Sequence, residues 1–427
     1  MGFASAYLEK HSFFDQQIAE PPSGLLHFIV VIPAYLEENI HETLNSLLQA
    51  TPPKSHCEVI LVVNHSETDS FENKEKNQSI FLNLKTWCNA HSKNNIKFYP
   101  IFAPDLPIKH AGAGLARKIG MDEAVRRFNY LDYSEGIILS LDADSRVDLN
   151  YFTEIDAMMG YHPSAGGCLI YFEHLLSGEE FTQDIYNAAT KYELHLRYYR
   201  HALKAAMYPF SYYTIGSCFG VKNSVYVSQG GMNRRQAGED FYFLHKLFPN
   251  REFVEITGTC VYPSSRPSFR VPFGTGPVIQ RLITGEDHDF FTYHPDAFNA
   301  LHQLFQVVPI LYSKNSNTDK LLLSLPESVH DFLGKMKFQN KLCEIRENTS
   351  SKEAFIKRFF QWFDGFMVVR FLNYTHNKFY TKLVVKEAVQ TFFKKGEMES
   401  EFSESELLEM FRRADREEKL VTTIFSR

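Results

Sequence analysis

Apolar residues along the first half of the chain form short uninterrupted runs that alternate with longer amphipathic segments. Residues 28–32 and 59–63 are almost entirely apolar and mostly β-branched, which is typical of strands buried on both faces of a parallel sheet. Strand, helix, strand, helix is the pattern of a doubly wound α/β fold. The further elements predicted in this part of the chain are helices over 37–50, 80–90, 114–128, 152–159 and 182–206, and strands over 96–102, from 137 and over 168–172.

The pattern changes near residue 285. Beyond it, four Phe-rich segments have helical spacing and no strand is predicted between them, namely 290–312, 327–338, 352–372 and 382–393. Ser403 and Glu406 have the spacing of a capping box, which predicts a last helix that ends near residue 419. The predicted organisation is an irregular leader over 1–26, an α/β domain over 27–284 and an α-helical domain over 285–427.

Composition excludes several classes of protein. The 45 Lys and Arg residues against 51 Asp and Glu give a formal net charge of −6, so no broad positive field is available for nucleic acid. The longest apolar stretches are far shorter than the roughly 20 residues that a membrane-spanning helix needs, and no export signal is recognised. The six cysteines are scattered, as expected of free thiols in a reducing compartment. We therefore expect a soluble, cytoplasmic protein without a transmembrane segment, and peripheral contact with a membrane is left open.

Two carboxylates, Asp142 and Asp144, come directly after the fourth predicted strand. Side chains alternate on an extended chain, so both are expected to point the same way at the sheet edge, where their oxygens can share a hard cation. Mg²⁺ or Mn²⁺ fits better than Ca²⁺, because Arg146 occupies a ligand position of a calcium loop and no glycine follows it. The loops 33–39 and 64–69 follow two other strands and end at the same edge, which predicts one shared crevice.

Three further segments carry charged groups that could belong to a binding or catalytic site, two of them with arginines that suit an anionic ligand. Arg117 follows a glycine-bearing turn at the start of a predicted helix, although the turn matches neither the dinucleotide fingerprint nor the phosphate-loop motif. Glu239 and Asp240 open a segment with helical spacing, where acids are dipole partners at least as often as catalytic groups. Arg266 and Arg270 lie in a Pro- and Gly-rich loop that either closes over a diphosphate or is an ordinary surface loop.

Taken in order, these segments resemble the inverting family 2 glycosyltransferases of the nucleotide-diphospho-sugar transferase superfamily, over about residues 27–276. The motifs that carry the resemblance are V-I-P-A-Y-L-E-E at 31–38, G-L-A-R-K-I-G at 114–120, L-D-A-D at 141–144, G-S-C-F-G-V-K at 216–222, G-G-M at 230–232 and G-E-D at 238–240. The resemblance implies the GT-A fold, a Rossmann-like and mostly parallel sheet flanked by helices. The additional C-terminal helical domain lies outside it.

The resemblance also implies roles for individual residues. Asp142 and Asp144 would form the metal-binding D-x-D pair, with Asp144 as the direct ligand. Asp240 would be the catalytic base, and Glu239 would help to position the acceptor. The predicted donor site consists of Pro33, Ala34, Tyr35, Glu37, Asn64, Arg117, Asp142, Arg266 and Arg270.

The implied activity is metal-dependent, non-processive and inverting transfer of a sugar, in the hexosyltransferase class. The donor is a nucleoside-diphosphate sugar, and the acceptor is a hydroxyl of a glycan, a lipid or a small molecule. The chain has no Q-x-x-R-W motif, which argues against a processive polysaccharide synthase. Two alternatives remain open: a nucleotidyltransferase of similar sheet architecture, and a non-catalytic nucleotide-sugar-binding or assembly protein. The acids weigh against the second, because a binding protein needs no base.

Overall fold

The computed structural model describes residues 2–93, 95–270, 274–313, 318–394 and 402–417. The chain divides into two compact units. The first unit consists of Met1–Gly178 and Thr214–Pro277, and the second consists of Glu179–Tyr213 and Val278–Arg427. The predicted domains, by comparison, met between residues 284 and 285, and the predicted helical domain did not include residues 179–213.

An eight-stranded sheet forms the centre of the first unit. Its strands are β1 Leu26–Ala34, β2 His56–Ser66, β3 Ile96–Leu106, β4 Ile137–Ser140, β5 Arg146–Val147, β6 Gly167–Phe172, β7 Phe219–Lys222 and β8 Phe253–Tyr262. They follow the order β3-β2-β1-β4-β7-β6-β8-β5. The first four in that order are mutually parallel, as are β6 and β8, whereas β7 runs antiparallel to β4 and β6, and β5 runs antiparallel to β8.

Helices flank this sheet in the first unit, and further helices form most of the second unit. In the first part of the chain they are α1 Ser5–His11, α2 Ile40–Gln49, α3 Phe71–His91, α4 Ala113–Tyr130, α5 Tyr151–Tyr161, α6 Gln183–Ala205, α7 Asn223–Ser228, α8 Glu239–Leu247 and α9 Thr275–Thr284. Helix α6 belongs to the second unit, where it packs against later helices, and α9 contains the boundary at Pro277. The predicted α/β class, mostly parallel sheet and flanking helices are confirmed.

The second unit is largely helical, as predicted. Its later elements are β9 Phe291–Thr292, α10 Pro295–Val307, α11 Thr318–Leu323, α12 Glu327–Lys335, α13 Phe338–Glu347, α14 Lys352–Trp362, α15 Gly365–His376, β10 Leu383–Val384, α16 Val385–Lys394 and α17 Glu404–Arg416. The expectation of no strand here is wrong, because β9 and β10 pair antiparallel. The predicted helix over 352–372 is two helices, because Asp364 accepts a hydrogen bond from the Met367 backbone N–H and starts α15.

Several predicted boundaries in the first unit also change. The leader is not irregular, because α1 packs on α4, where the Tyr7 hydroxyl donates to Asp122 at 2.7 Å. Strand β1 does not end before Pro33 but continues to Ala34. The predicted capping box of Ser403 and Glu406 is present, while residues 418–419 of the predicted last helix lie outside the described residues. None of the described helices combines the length and apolar character needed to span a bilayer.

The parallel part of the sheet positions the loops that carry the candidate chemistry. Residues 28–32 of β1 and 59–63 of β2 are fully buried, as the sequence predicted for strands covered on both faces. Helix α4 crosses them closely, because a Cβ on Gly120 would overlap the side chain of Val31. The loops after β1 and β4 therefore open at one edge, beside the start of α4.

Candidate functional site

Eight charged side chains of the first unit form a connected cluster at the carboxyl ends of β1 and β4. Five of them are acids and three are arginines, so the cluster carries more negative than positive formal charge. Direct ion pairs and mutual electrostatic effects connect its members. They are Glu37, Asp142, Asp144, Glu239 and Asp240, with Arg117, Arg266 and Arg270.

Arg117 lies at the centre of the cluster and is only 3% exposed. Its Nη2 donates to Asp142 at 2.9 Å and its Nε donates to Glu239 at 3.2 Å. Its Nη1 donates to the Ser140 hydroxyl and, at 3.2 Å, to the carbonyl of Gly216. Asp142 and Glu239 raise the pKa of this guanidinium above its usual value, against the effect of burial. Arg117 therefore joins the end of β4 to the start of α8, and its contacts are with protein groups rather than with an open anion site.

Asp142 and Asp144 lie in a turn rather than on an extended strand. Strand β4 ends at Ser140, and the Ser145 backbone N–H donates to the Asp142 carbonyl at 3.1 Å, which closes the turn. The expectation that strand alternation aligns the two carboxylates is therefore wrong. They still belong to one cluster, because the charge of Asp142 adds to burial and to Glu37 in raising the pKa of Asp144. Each side chain is about a third exposed.

Glu37 connects the first loop to the two predicted phosphate-binding arginines. Arg266 donates to Glu37 Oε1 at 2.6 Å and to Asp144 Oδ2 at 3.2 Å. Arg270 donates to the same Glu37 oxygen and, at 2.6 Å, to the carbonyl of Tyr35. Glu37 is 5% exposed, and its Oε2 has no hydrogen-bond partner among the described residues. The loop that carries both arginines thus meets the loop after β1, while its residues 271–273 lie outside the described residues.

Asp240 and Glu239 open helix α8, as predicted. Gly238, with φ of 68°, supplies the left-handed turn that precedes the helix. Glu239 is buried on Arg117, whereas Asp240 is half-buried, and its carboxylate lies beside Gly216. A Cβ on Gly216 would be 2.8 Å from Arg117 Nη2 and 3.1 Å from Asp240 Oδ2, so a larger residue here would displace one of these two side chains. Sequence reasoning assigned no role to Gly216 or Ser140, although Gly216 opened one of the quoted motifs.

The site raises the pKa of three carboxyl groups. Burial, assisted by the neighbouring acids, raises the pKa of Glu37, Asp144 and Asp240 to about 7 in each case. Arg266 opposes this effect at Glu37 and Asp144, and Arg117 opposes it at Asp240. Carboxyl groups whose pKa values are strongly shifted cluster at functional sites, which makes this edge of the sheet the candidate site.

The other predicted donor residues lie along the same edge of the sheet. Pro33 and Ala34 are the last residues of β1, in register with Val62 and Val63 of β2. Tyr35 follows them, and burial and Asp69 raise the pKa of its hydroxyl.

Asn64 lies near the end of β2, in register with Ala103 of β3, and is 3% exposed. Within the described part of the chain, its side chain forms no hydrogen bond with the charged cluster. Leu36, which the sequence did not mark as strained, has φ of 53° and donates its backbone N–H to Asn77 at 2.9 Å.

The glycines before Arg117 have a packing role. A Cβ on Gly112 would be 2.6 Å from the carbonyl oxygen of Gln236, and one on Gly114 would overlap the carbonyl oxygen of Arg235. Gly112 also has φ of 153°. These glycines therefore let the loop before α8 lie directly on the start of α4, which sets Glu239 beside Arg117.

The residues of the cluster fit a small hard cation that is completed by other oxygen ligands. Asp142 and Asp144 offer carboxylate oxygens, and the pKa of Asp144 is raised first by burial and then by the neighbouring charges of Glu37 and Asp142. In the part of the chain that the structure describes, no three His, Cys, Asp or Glu side chains converge to hold a metal ion. Mg²⁺ and Mn²⁺ need only one or two protein carboxylates when substrate phosphate and water supply the other oxygens.

Comparison with known proteins gives only a distant likeness. No protein-family model matches the chain, and no curated protein matches it. The crystal structure of S. aureus TarS 1–349 in complex with UDP is 17% identical with a TM-score of 0.37, and the match covers 71% of this chain and 76% of that one. The same protein in complex with UDP-GlcNAc is 15% identical with a TM-score of 0.39, covering 79% and 91%. At similarities this low the likeness carries no argument, so a function has to be inferred from this chain's own residues.

Proposed function

We propose that this protein is a metal-dependent, non-processive, inverting glycosyltransferase of the GT-A, family 2 type. It would transfer a hexosyl group from a nucleoside-diphosphate sugar to an acceptor hydroxyl. The observation that carries the proposal is the double ion pair of Arg117, which joins Asp142 after β4 to Glu239 at the start of α8. A candidate metal-binding turn and a candidate base thereby share one cluster, as single displacement at a sugar carbon requires.

The donor side of the proposal rests on charge and position. The loops after β1 and β4 open at the carboxyl edge of parallel strands, where α/β sheets bind nucleotides. Arg266 and Arg270 are each about 30% exposed and point guanidinium groups into the carboxylate cluster. Guanidinium groups bind phosphate oxygens in pairs, so both would contact the diphosphate. When bound at Asp142 and Asp144, Mg²⁺ or Mn²⁺ would offset the charge of the leaving diphosphate.

The acceptor side of the proposal rests on Asp240. Its carboxyl, with a pKa raised to about 7, can take a proton from an acceptor hydroxyl as that oxygen attacks the anomeric carbon. Attack from the face opposite the diphosphate inverts the configuration of the sugar. Glu239 is held by Arg117, and its backbone carbonyl accepts from Asn233 at 2.9 Å, which keeps the start of α8 in place.

The test is sugar transfer by the full chain with Mn²⁺, after a thermal-shift screen of nucleoside-diphosphate sugars has found a donor that binds. We expect Asp240→Asn and Asp144→Ala to lower kcat by at least about 100-fold, because they remove the base and a metal-binding carboxylate. Asp156→Asn is the matched control, since this aspartate is 41% exposed on α5 and pairs only loosely with His27. EDTA should abolish transfer in the wild type, and Mn²⁺ should restore it.

Two results would contradict the proposal. Unchanged turnover in both Asp240→Asn and Asp144→Ala would remove these carboxylates from the mechanism. Release of pyrophosphate from a nucleoside triphosphate, without transfer of any sugar, would favour the nucleotidyltransferase instead.

A further inference from the structure

Arg266 and Arg270 hold the same carboxylate oxygen but differ in their second contact. Arg270 donates to Glu37 and to the backbone carbonyl of Tyr35, so both of its partners are parts of the loop after β1. Arg266 donates to Glu37 and to Asp144, so it bridges that loop to the turn after β4. Only Arg266 of the two is therefore bound to a carboxylate that the proposed function assigns to a metal ion.

The ion pair between Arg266 and Asp144 can separate, so that each side chain takes another partner. Arg266 is 30% exposed and Asp144 is 35% exposed, so water can solvate both groups when they separate. Partly exposed ion pairs of this kind are worth about 1 kcal/mol or less. Glu37 would not be left as an unpaired buried charge, because Arg270 holds the same oxygen.

The backbone around Arg266 has anchors that do not involve its guanidinium group. The Ser265 hydroxyl, on a residue only 2% exposed, donates to the carbonyl of Leu175 at 3.5 Å. The Ser268 backbone N–H donates to the carbonyl of Gly276 at 3.2 Å. The Arg266 side chain can therefore change partners while the described part of its loop stays in place.

We propose that Arg266 is an exchangeable counter-ion for Asp144. Before the donor binds, its guanidinium neutralises Asp144 and competes with a divalent cation for that carboxylate. When metal and donor bind together, Arg266 leaves Asp144 and contacts the diphosphate. This inference rests on the proposed function, and it means that the protein binds a divalent cation weakly alone and tightly with a nucleoside diphosphate.

The test measures Mn²⁺ binding by titration calorimetry and by the EPR signal of free Mn²⁺, with the full chain. Each variant is titrated alone and again with the nucleoside diphosphate that stabilises the wild type most among ADP, CDP, GDP and UDP. For Arg266→Gln we expect Mn²⁺ alone to bind about 3- to 5-fold more tightly, because a competing cation is removed. The nucleoside diphosphate, at saturating Mn²⁺, should bind about 10-fold more weakly, because a phosphate contact is lost.

Two further variants separate this role from general electrostatics. Arg270→Gln removes the same charge from the same loop but not from Asp144, so its affinity for Mn²⁺ alone should stay within about twofold of the wild type. Arg266→Lys keeps a cation near Asp144, so its affinity for Mn²⁺ alone should also stay near the wild type, while nucleotide binding weakens. Thermal unfolding of each variant checks that it is folded.

The inference predicts opposite changes in Arg266→Gln, namely tighter binding of Mn²⁺ alone and weaker binding of the nucleoside diphosphate. If Arg266→Gln weakens or leaves unchanged the binding of Mn²⁺ alone, Arg266 does not compete for Asp144 and the inference is overturned. If Arg270→Gln tightens Mn²⁺ binding equally, the effect belongs to net charge and the inference is again overturned. If the wild type binds no Mn²⁺ even with a nucleoside diphosphate, the metal in the proposed function fails and the inference fails with it.

Discussion

Arg117 is the residue on which the charges of the candidate site depend most. It is almost fully buried, and burying a cation is costly unless anions and hydrogen-bond acceptors replace water. Asp142, Glu239, the Ser140 hydroxyl and the Gly216 carbonyl all do so. Such a group is poorly placed to exchange its partners for a ligand. Its charge nevertheless acts on the half-buried Asp240, whose pKa it lowers against the raising effects of burial and Glu239.

Removing the positive charge of Arg117 should shift the pH dependence of sugar transfer. Asp240 must be ionised to accept a proton, so kcat/KM should rise as pH increases through about 7 in the wild type. In Arg117→Gln the pKa of Asp240 should rise further, and the acid limb should move to higher pH by about one unit. Arg117→Lys retains the charge and should keep the limb near its original pH, although kcat falls because the forked contacts are lost.

The measurement is a pH profile of kcat/KM for the three proteins, each shown to be folded by its thermal transition. An acid limb that stays in place in Arg117→Gln would mean that Asp240 does not set it.

The residue types of this site could be predicted from the sequence, whereas their partners could not. Asp142, Asp144, Glu239 and Asp240 stand out because acids follow an apolar strand or open a helix. The contact of Arg117 with Glu239 joins positions 122 residues apart, and no local pattern reports it. The strained backbone of Leu36 was also hidden, because a leucine with positive φ costs roughly 1 kcal/mol and has no sequence signature.

At the scale of elements, the close approach of the loop before α8 to the start of α4 fixes the geometry of the site. Gly114 is the closest point, since a Cβ there would overlap the Arg235 carbonyl and lie 2.9 Å from Glu239 Cβ. Alanine favours a helix over glycine, but here the added methyl group would push the loop and Glu239 away from Arg117.

We therefore expect Gly114→Ala to lower the free energy of unfolding by about 2 kcal/mol and to reduce transfer. Gly160→Ala on α5 is the matched control, because nothing lies within 4 Å of a Cβ there. That substitution should stabilise the protein by about 0.5 kcal/mol through helix propensity. Urea unfolding of both variants is the measurement. Equal stabilisation by both alanines would show that the loop does not press on Gly114.

Elements with a continuous apolar pattern were predictable, and those defined by their partners were not. Strands β1 and β2 were found because both faces are buried. Strand β8 was missed because Glu255, Gly258 and Thr259 interrupt its apolar pattern, and only pairing with β6 and β5 makes it a strand. The two-residue strands β9 and β10 are likewise defined only by their antiparallel pairing with each other.

At the scale of the whole molecule, the second unit is assembled from two chain segments that are distant in sequence. Helix α6 of Glu179–Tyr213 and helix α17 near the end of the described chain meet through buried charges. Asp415 of α17 accepts hydrogen bonds from Arg197 at 2.6 Å, Tyr213 at 2.7 Å and His201 at 2.8 Å, and also from Arg200. No amphipathic pattern indicated this junction. Helical periodicity in the sequence marks the apolar stripe of a helix, but it does not show which charged residues are buried against another helix.

Asp415 is the anion on which this junction depends, so its charge should dominate the stability of the second unit. Burial opposes ionisation of Asp415, but the hydrogen bond with His201 and the charges of Arg200 and Arg197 hold its pKa well below the usual range. The contribution of the ionised Asp415 to the free energy of unfolding is therefore fully present at all pH values above the ordinary aspartate pKa. It is lost only as the pH falls toward the lowered pKa of Asp415 in the folded protein. Asp415→Asn leaves buried arginines without this counter-charge, and we expect it to lower the free energy of unfolding by about 3 kcal/mol at neutral pH.

The chain offers its own reporter for that measurement, because it has two tryptophans, Trp87 in α3 and Trp362 in α14. In a Trp87→Phe background, fluorescence during urea unfolding reports the second unit alone. Glu409→Gln removes a charge from the same helix where the side chain is 62% exposed, and it should change the transition by less than about 0.5 kcal/mol. Equal effects of the two substitutions on the Trp362 transition would mean that the buried charge does not join the two segments, and that apolar packing between α6 and α17 is sufficient.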